Sequence, residues 1–155
     1  MKRKDRKLLV IDACVARSAG ETQDPVSSAC RKCLRDVLRI CHRVAATDQI
    51  LEEWDRHQSG FTRKWRRSMA AHGKPLKIGN VTPVSSGLDL EPFNPKDRAA
   101  VEKDLHLIEA ALGADKVIVT LDDALQRALG GTPKRDRLRD RIIWYNPVND
   151  KDSPL

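Results

Sequence analysis

The chain has 155 residues, 40% apolar and 33% charged, with a formal net charge of +7 and a pI near 9.5. That length fits one domain with a core of its own, and no run approaches the roughly 20 apolar residues that a membrane span needs. The positive balance favours a polyanionic partner, nucleic acid first.

The basic start, Lys2-Arg3-Lys4-Asp5-Arg6-Lys7, is followed by only four apolar residues before Asp12. That is too short for the apolar region of a secretory signal, so a cytoplasmic protein with no membrane partner is expected. Leu8-Leu9-Val10-Ile11 suits a central parallel strand covered on both faces. It runs straight into Asp12. Ligands in such sheets gather at the carboxyl ends of the strands, so Asp12 is either a working carboxylate or a cap for the next helix. Residues 16–23, with Gly20 and scattered polar side chains, read as a short connection or an irregular first helix. Asp24-Pro25 then opens a helix, Asp24 as cap and Pro25 in its first position. Its apolar stripe is Val26, Cys30, Cys33, Leu34, Val37, Leu38 and Cys41, opposite Arg31, Lys32, Arg35, Asp36 and Arg39. No second Cys or His pair follows Cys30-x-x-Cys33 at zinc spacing, so these thiols read as small core side chains in a reducing compartment.

Arg43-Val44-Ala45-Ala46 is a weak second strand, and Thr47 or Asp48 caps a helix over 49–57. Ile50, Leu51 and Trp54 form its apolar stripe; Glu53 lies beside it, with its carboxylate expected to face inward at the sheet edge. After Gly60, Phe61, Trp65 and Met69 repeat at intervals of four, with Arg63, Lys64, Arg66 and Arg67 between them. The interval points to burial of the aromatics, although an exposed Trp65 would suit base stacking; the four cations suit phosphate contacts. Residues 74–96 show no period and carry Pro75, Pro83, Pro92 and Pro95, with a short edge strand expected near Lys77 to Val81.

Pro95-Lys96-Asp97 opens the clearest helix, which runs to about Leu112 and stops at Gly113. Val101, Leu105, Ile108 and Leu112 form its core stripe; Glu102, His106 and Glu109 mark its wet face. Asp104 lies three residues after Val101 and four before Ile108, so it projects from the buried side. An acid there is costly unless paired or bound to a metal. Lys116 to Leu121 is a second buried-strand run ending in carboxylates, Asp122 and Asp123. A helix from Ala124 reaches Gly130-Gly131. A basic, turn-rich piece over 134–141 then leads to a last strand, Ile142 to Tyr145, and a loose tail from Pro147.

Strands alternating with helices imply a doubly wound parallel sheet. Two strands end in acids, Asp12 and Asp122, and two helices turn Glu53 and Asp104 toward the core. If the two strands are neighbours, the four carboxylates converge. They would repel one another strongly, and a divalent cation removes the conflict. All-oxygen ligation suits Mg²⁺ or Mn²⁺. Cations that collect a phosphodiester backbone, beside metal-loaded acids that cut it, are what metal-dependent cleavage needs.

The segments Leu8 to Asp12, Thr47 to Trp54, Asp104-Leu105-His106-Leu107-Ile108-Glu109-Ala110-Ala111-Leu112 and Val117-Ile118-Val119-Thr120-Leu121-Asp122 resemble the successive motifs of PIN domains, the PilT N-terminus-like ribonucleases. The resemblance spans roughly residues 8–147. It implies a three-layer α/β/α sandwich around a central parallel sheet and a Mg²⁺- or Mn²⁺-dependent endoribonuclease. Many small members are toxins of toxin–antitoxin pairs, so it also implies an antitoxin protein as partner, and a homodimer. The family acids carry over onto Asp12, Glu53, Asp104 and Asp122, with Asp12, Asp104 and Asp122 as metal ligands and Arg63, Lys64, Arg66 and Arg67 holding RNA. Glu52 and Glu53 both fit the spacing from Thr47; Trp54 after Glu53 favours the latter. Asp123 sits one residue off the Thr-x-Asp alignment. Where the family usually has Asn or Ser, two residues after the first acid, this chain has Cys14, and Ala124 replaces an acid often found two residues after the fourth.

Two other classes compete. One is a PIN-like module that binds RNA or a protein without cutting. The other is phosphotransfer on a strand-end Asp, which the haloacid-dehalogenase pattern would support only with a second Asp where Cys14 stands. RNA is the expected polymer, with DNA left open.

Overall fold

The computed structural model describes residues 6–84 and 93–155. Five parallel strands form the sheet: β1 (Leu8–Ile11), β2 (Arg43–Ala46), β3 (Lys77–Ile78), β4 (Val117–Val119) and β5 (Ile143–Tyr145), in the order β3-β2-β1-β4-β5. The central strands are short and apolar because both faces are covered; Leu9, Val10, Ile11 and all of β4 have no exposed surface. Among the described residues, seven helices accompany them: α1 (Ala13–Ser18), α2 (Pro25–Ile40), α3 (Asp48–His57), α4 (Gly60–Ala71), α5 (Pro95–Leu112), α6 (Ala124–Ala128) and α7 (Pro133–Asp140).

Strand order reverses at β1, whose neighbours are β2 and β4. Chain progress from β1 to β3 runs one way across the sheet, and from β3 to β5 it runs back. Right-handed crossovers therefore place the earlier and later helices on opposite faces, giving the three-layer α/β/α sandwich. Helix contacts agree: α1, α2 and α4 pack in sequence, while α5 packs on α6 and lies across β1, β2 and β4. Such a reversal opens a crevice outside the carboxyl ends of β1 and β4.

Local chemistry explains the helix bounds. The Asp24 side chain accepts from Ser27 N, Thr47 from Ile50 N, Ser59 from Thr62 N and Asn94 from Asp97 N. Thr47, not Asp48, is the cap of α3. Cys41 ends α2 with a positive φ of 70° and is only half-buried, so it is a turn residue and not part of the core stripe, unlike Cys30 and Cys33. At Gly113 a Cβ would lie 1.9 Å from Asn80 O, so only glycine lets the chain after β3 pass the end of α5.

Two buried indoles tie the early helices to the rest. Trp54 Nε1 donates to Ile11 O at 3.0 Å and Trp65 Nε1 to Leu34 O at 2.6 Å, with ring centroids 6.1 Å apart. Trp65 is thereby spent inside and is not presented for stacking.

Three local expectations change. The first helix, α1, starts directly after Asp12 at Ala13 and ends at Ser18, earlier than the short connection or irregular first helix expected over 16–23. The basic piece at 134–141 is α7, capped by Thr132 with Pro133 in its first turn, although Leu138 is its one buried residue. On α5, His106 is nearly buried, its side chain 11% exposed, and Glu109 Oε2 accepts from Val84 N at 3.1 Å. Two of the three supposed wet-face residues thus face neighbouring segments.

Candidate functional site

Each of the four acids arrives from a different segment. Asp12 is the first residue past β1, and its backbone N–H donates to Val119 O at 2.8 Å, which fixes it beside β4. It occupies the cap position of α1, yet its side chain makes no capping hydrogen bond. Its carboxylate is instead held by Thr120, whose Oγ1 donates to Asp12 Oδ2 at 2.8 Å and accepts from Asp122 N at 3.1 Å. One hydroxyl therefore couples the ends of two neighbouring strands. Asp122 turns back locally, its Oδ1 accepting from Ala124 N at 2.9 Å.

Asp104 comes from the buried side of α5 and is 8% exposed. Glu53 comes from α3, one residue before the buried Trp54. Its Oε1 lies 3.7 Å from Nε2 of His106, a buried ring nitrogen with no hydrogen-bond partner. Asp12, Glu53, Asp104 and Asp122 together line one cavity of about 430 Å³ at the crevice of the sheet. Glu52 is exposed and does not line it. Asp123 does not line it either; its carboxylate pairs with Arg127 at 3.1 Å. Of each adjacent pair, Glu53 and Asp122 line the cavity and Glu52 and Asp123 do not.

The charges act on one another. Burial pushes the Asp104 carboxyl up from its ordinary 3.8 to about 6, and Asp12, Asp122 and Glu53 push the same way against the opposing charge of Lys103. Cys14 also lines the cavity. Its Sγ accepts from Leu121 N at 3.4 Å and lies 3.6 Å from Thr120 Oγ1. Burial, with Asp12 adding to it, pushes this thiol up to about 12, so it stays protonated and packs as a weakly polar side chain.

The cavity also has cations that the sequence reading did not single out: Arg17, Arg56 and Lys103, with His57 beside them. None of these three forms an ion pair with an acid among the described residues. A signal for them existed. Arg56 follows Glu53 by three residues and Lys103 adjoins Asp104, so two acid-bearing helices carry a cation within one turn.

The four cations expected on α4 lie elsewhere, and none lines this cavity. Arg66 Nη1 pairs with Asp55 at 2.7 Å and Gln58 at 3.0 Å, and its guanidinium lies 5.9 Å from the Trp54 ring centre. Lys64 is 3.6 Å from Glu21; Arg63 and Lys64 and Arg67 are exposed. Lys64 instead lines a cavity of about 570 Å³ with Arg31, Arg35 and Phe61, which gathers no set of acids.

Whether the acids suit a metal turns on donor chemistry and separation. Carboxylate oxygens are hard donors, and the raised Asp104 carboxyl registers unbalanced negative charge that a divalent cation would offset. Among the described residues, no three His, Cys, Asp or Glu side chains stand close enough to make a finished ligand cluster. The donor set fits a hard cation and is open.

A parallel α/β domain with an acid-lined cleft at its switch point is the class of protein that fold and site define. Compared with family models, curated proteins and solved structures, the chain finds no match in any of the three.

Proposed function

We propose that the chain is a PIN-like, Mg²⁺- or Mn²⁺-dependent endoribonuclease acting at the crevice of Asp12, Glu53, Asp104 and Asp122. One observation carries the reading: four acids from four separate segments line one cavity, and the ionised form of the buried member is disfavoured first by burial and then by the other three. A fold keeps such a cluster only if something offsets it. Asp12, Asp104 and Asp122 would hold the cation. When bound, it supplies neutralisation of the phosphate charge and acidification of a water.

The remaining roles fall to the chain. Thr120 fixes the orientation of the Asp12 carboxylate. Glu53, near His106, stands where a carboxylate accepts a proton or orients the attacking water. Arg17, Arg56 and Lys103 at the same cavity attract the phosphodiester, which an acid cluster alone would repel. Arg63, Lys64, Arg66 and Arg67 extend the cationic surface along α4. The toxin role, an antitoxin partner, a homodimer and a cytoplasmic setting belong to the same proposal.

The test is cleavage of a mixed RNA pool by purified protein with Mn²⁺ or Mg²⁺, compared with Asp12→Asn and Asp104→Asn. Loss of at least about a hundredfold in rate is expected in each variant. A wild type that leaves all RNA intact sinks the reading.

The open separation of the acids favours a second reading, a PIN-like module that binds RNA or protein without cutting. Calorimetry that detects no Mn²⁺ binding to the wild type would select it.

A further inference from the structure

A second concavity, of about 560 Å³, lies at the other end of the sheet, where β1 and β2 begin. Arg6, Lys7, Arg43, His72 and Lys74 line it, and Asp115 is the acid among its lining residues. The Asp115 carboxylate is already engaged, its Oδ2 accepting from Leu8 N at 2.6 Å. Lys7 Nζ donates to Pro154 O at 2.7 Å, and the His72 ring is bonded to Ser68 O at 2.7 Å. The side chains of Arg6, Arg43 and Lys74 make no hydrogen bond or ion pair among the described residues.

The plain explanation is that cations gather here because α2 and α4 end nearby, and helix C-termini favour positive charge. That accounts for their presence and not for their arrangement. On an ordinary wet surface, signs alternate and charges pair, as Arg66 does with Asp55. Here three cations share a concave wall, which concentrates their field. The buried His42 feels it: after burial itself, Lys7 and Lys74 hold its ring toward the neutral form.

We propose that this concavity is a second nucleic-acid site, holding the sugar-phosphate backbone of a strand through Arg6, Arg43 and Lys74. The inference rests on nucleic acid being the partner, though not on the chain cutting it. Among the described residues, none of the large exposed apolar side chains, Val26, Val81, Ile143 and Val148, lines the cavity. A protein or lipid partner would need such an anchor. Strand geometry sets the reach. Leu8 lines this cavity and Asp12 the acid cleft, and the four residues of β1 span about 13 Å at ~3.3 Å each. Because β1 is the central strand and is covered on both faces, a strand that touches both ends follows a longer path than this, around a helix layer.

The experiment measures binding of a fluorescent single-stranded RNA of mixed sequence to the full chain by anisotropy. It is run in EDTA so that nothing is cut, over a series of KCl concentrations. Arg43→Glu/Lys74→Glu should weaken binding at low salt by about tenfold or more and lower the log–log salt slope by about 1.4, two contacts at ~0.7 each for single strands. Arg43→Gln/Lys74→Gln should move both in the same direction by less, which covers a reversal that disturbs folding. Unchanged affinity and slope in both variants overturns the site, as does a wild type that binds no RNA. Competition by polyglutamate as strong as by RNA also overturns it, in favour of an acidic protein. RNA binding without cleavage in Mn²⁺ would end the nuclease reading and leave this site standing.

Discussion

The two ends of the sheet carry opposite charge, and β1 alone shows it: Lys7 precedes the strand and Asp12 follows it. In an all-parallel sheet every strand points the same way, so whatever gathers at one end gathers from several strands at once. The ends differ in how their charge is kept. At the amino end, Arg6, Arg43 and Lys74 share an open concave wall, and none of them is deeply buried. At the carboxyl end, four acids share a cavity, and burial, with the neighbouring acids adding to it, pushes the Asp104 carboxyl up. Charge held against its own repulsion is the pattern of a candidate chemical site, and under the two proposals above the amino end would recruit what the carboxyl end acts on.

The largest test of that contrast lies at Asp104. The folded chain holds this proton more tightly than the unfolded chain, with the carboxyl raised from 3.8 to about 6. The group therefore favours folding when protonated, and that contribution is lost as pH rises from the lower value through the upper one. Asp104→Asn should accordingly stabilise the metal-free protein at pH 7.5 by up to about 3 kcal/mol, and leave it nearly unchanged at pH 3.5. Urea unfolding at the two pH values reads this directly, and a gain of equal size at both would break the argument. Mn²⁺ should raise the melting temperature of the wild type more than that of the variant.

A smaller effect is expected at Thr120. Thr120→Val keeps the shape but removes the hydroxyl between Asp12 Oδ2 and Asp122 N. Calorimetry should show Mn²⁺ affinity falling by about 10- to 100-fold; unchanged affinity would mean that Asp12 needs no such support.

The smallest effect belongs to the amino end and has the opposite sign in pH. His42 is buried, its Nδ1 accepts from Lys7 N at 3.0 Å, and its pKa is lowered from 6.5. A depressed histidine favours folding above 6.5, and that contribution is lost as pH falls through the folded value. His42→Gln should flatten the loss of stability below pH 6.5, with NMR titration of the ring as the check. A ring that titrates at its ordinary value would remove one support for the positive field at that end.

The order of strands and helices was largely legible in the residues, because short apolar runs and capped, periodic helices carry their own signatures. Asp104 was legible for the same reason: a carboxylate in register with Val101 and Ile108 has to be buried. Alternation of strands and helices suggested a parallel sheet, but the order β3-β2-β1-β4-β5 rests on pairings between distant residues, such as Val10 with Ile118, that no local pattern announces. The helix α7 was hidden because one apolar residue makes no stripe; its start signal, Thr132 as cap before Pro133, went unread. His106 was misjudged because helical spacing ranks faces within one helix and is blind to α3 arriving beside it. The cations of the acid cleft were missed for a related reason. Charge density along the chain pointed to α4, while the cleft draws single cations from three helices.

Trp54 has one further consequence. Its indole has no exposed surface, donates to the carbonyl of Ile11 and adjoins Glu53 in the chain. The ring thus ties the residue after Glu53 to the residue before Asp12, with Trp65 as its 6.1 Å neighbour. With Trp65 and Trp144 replaced by Phe, its emission would give a dye-free reading of whether Mn²⁺ alters the wall behind Asp12 and Glu53.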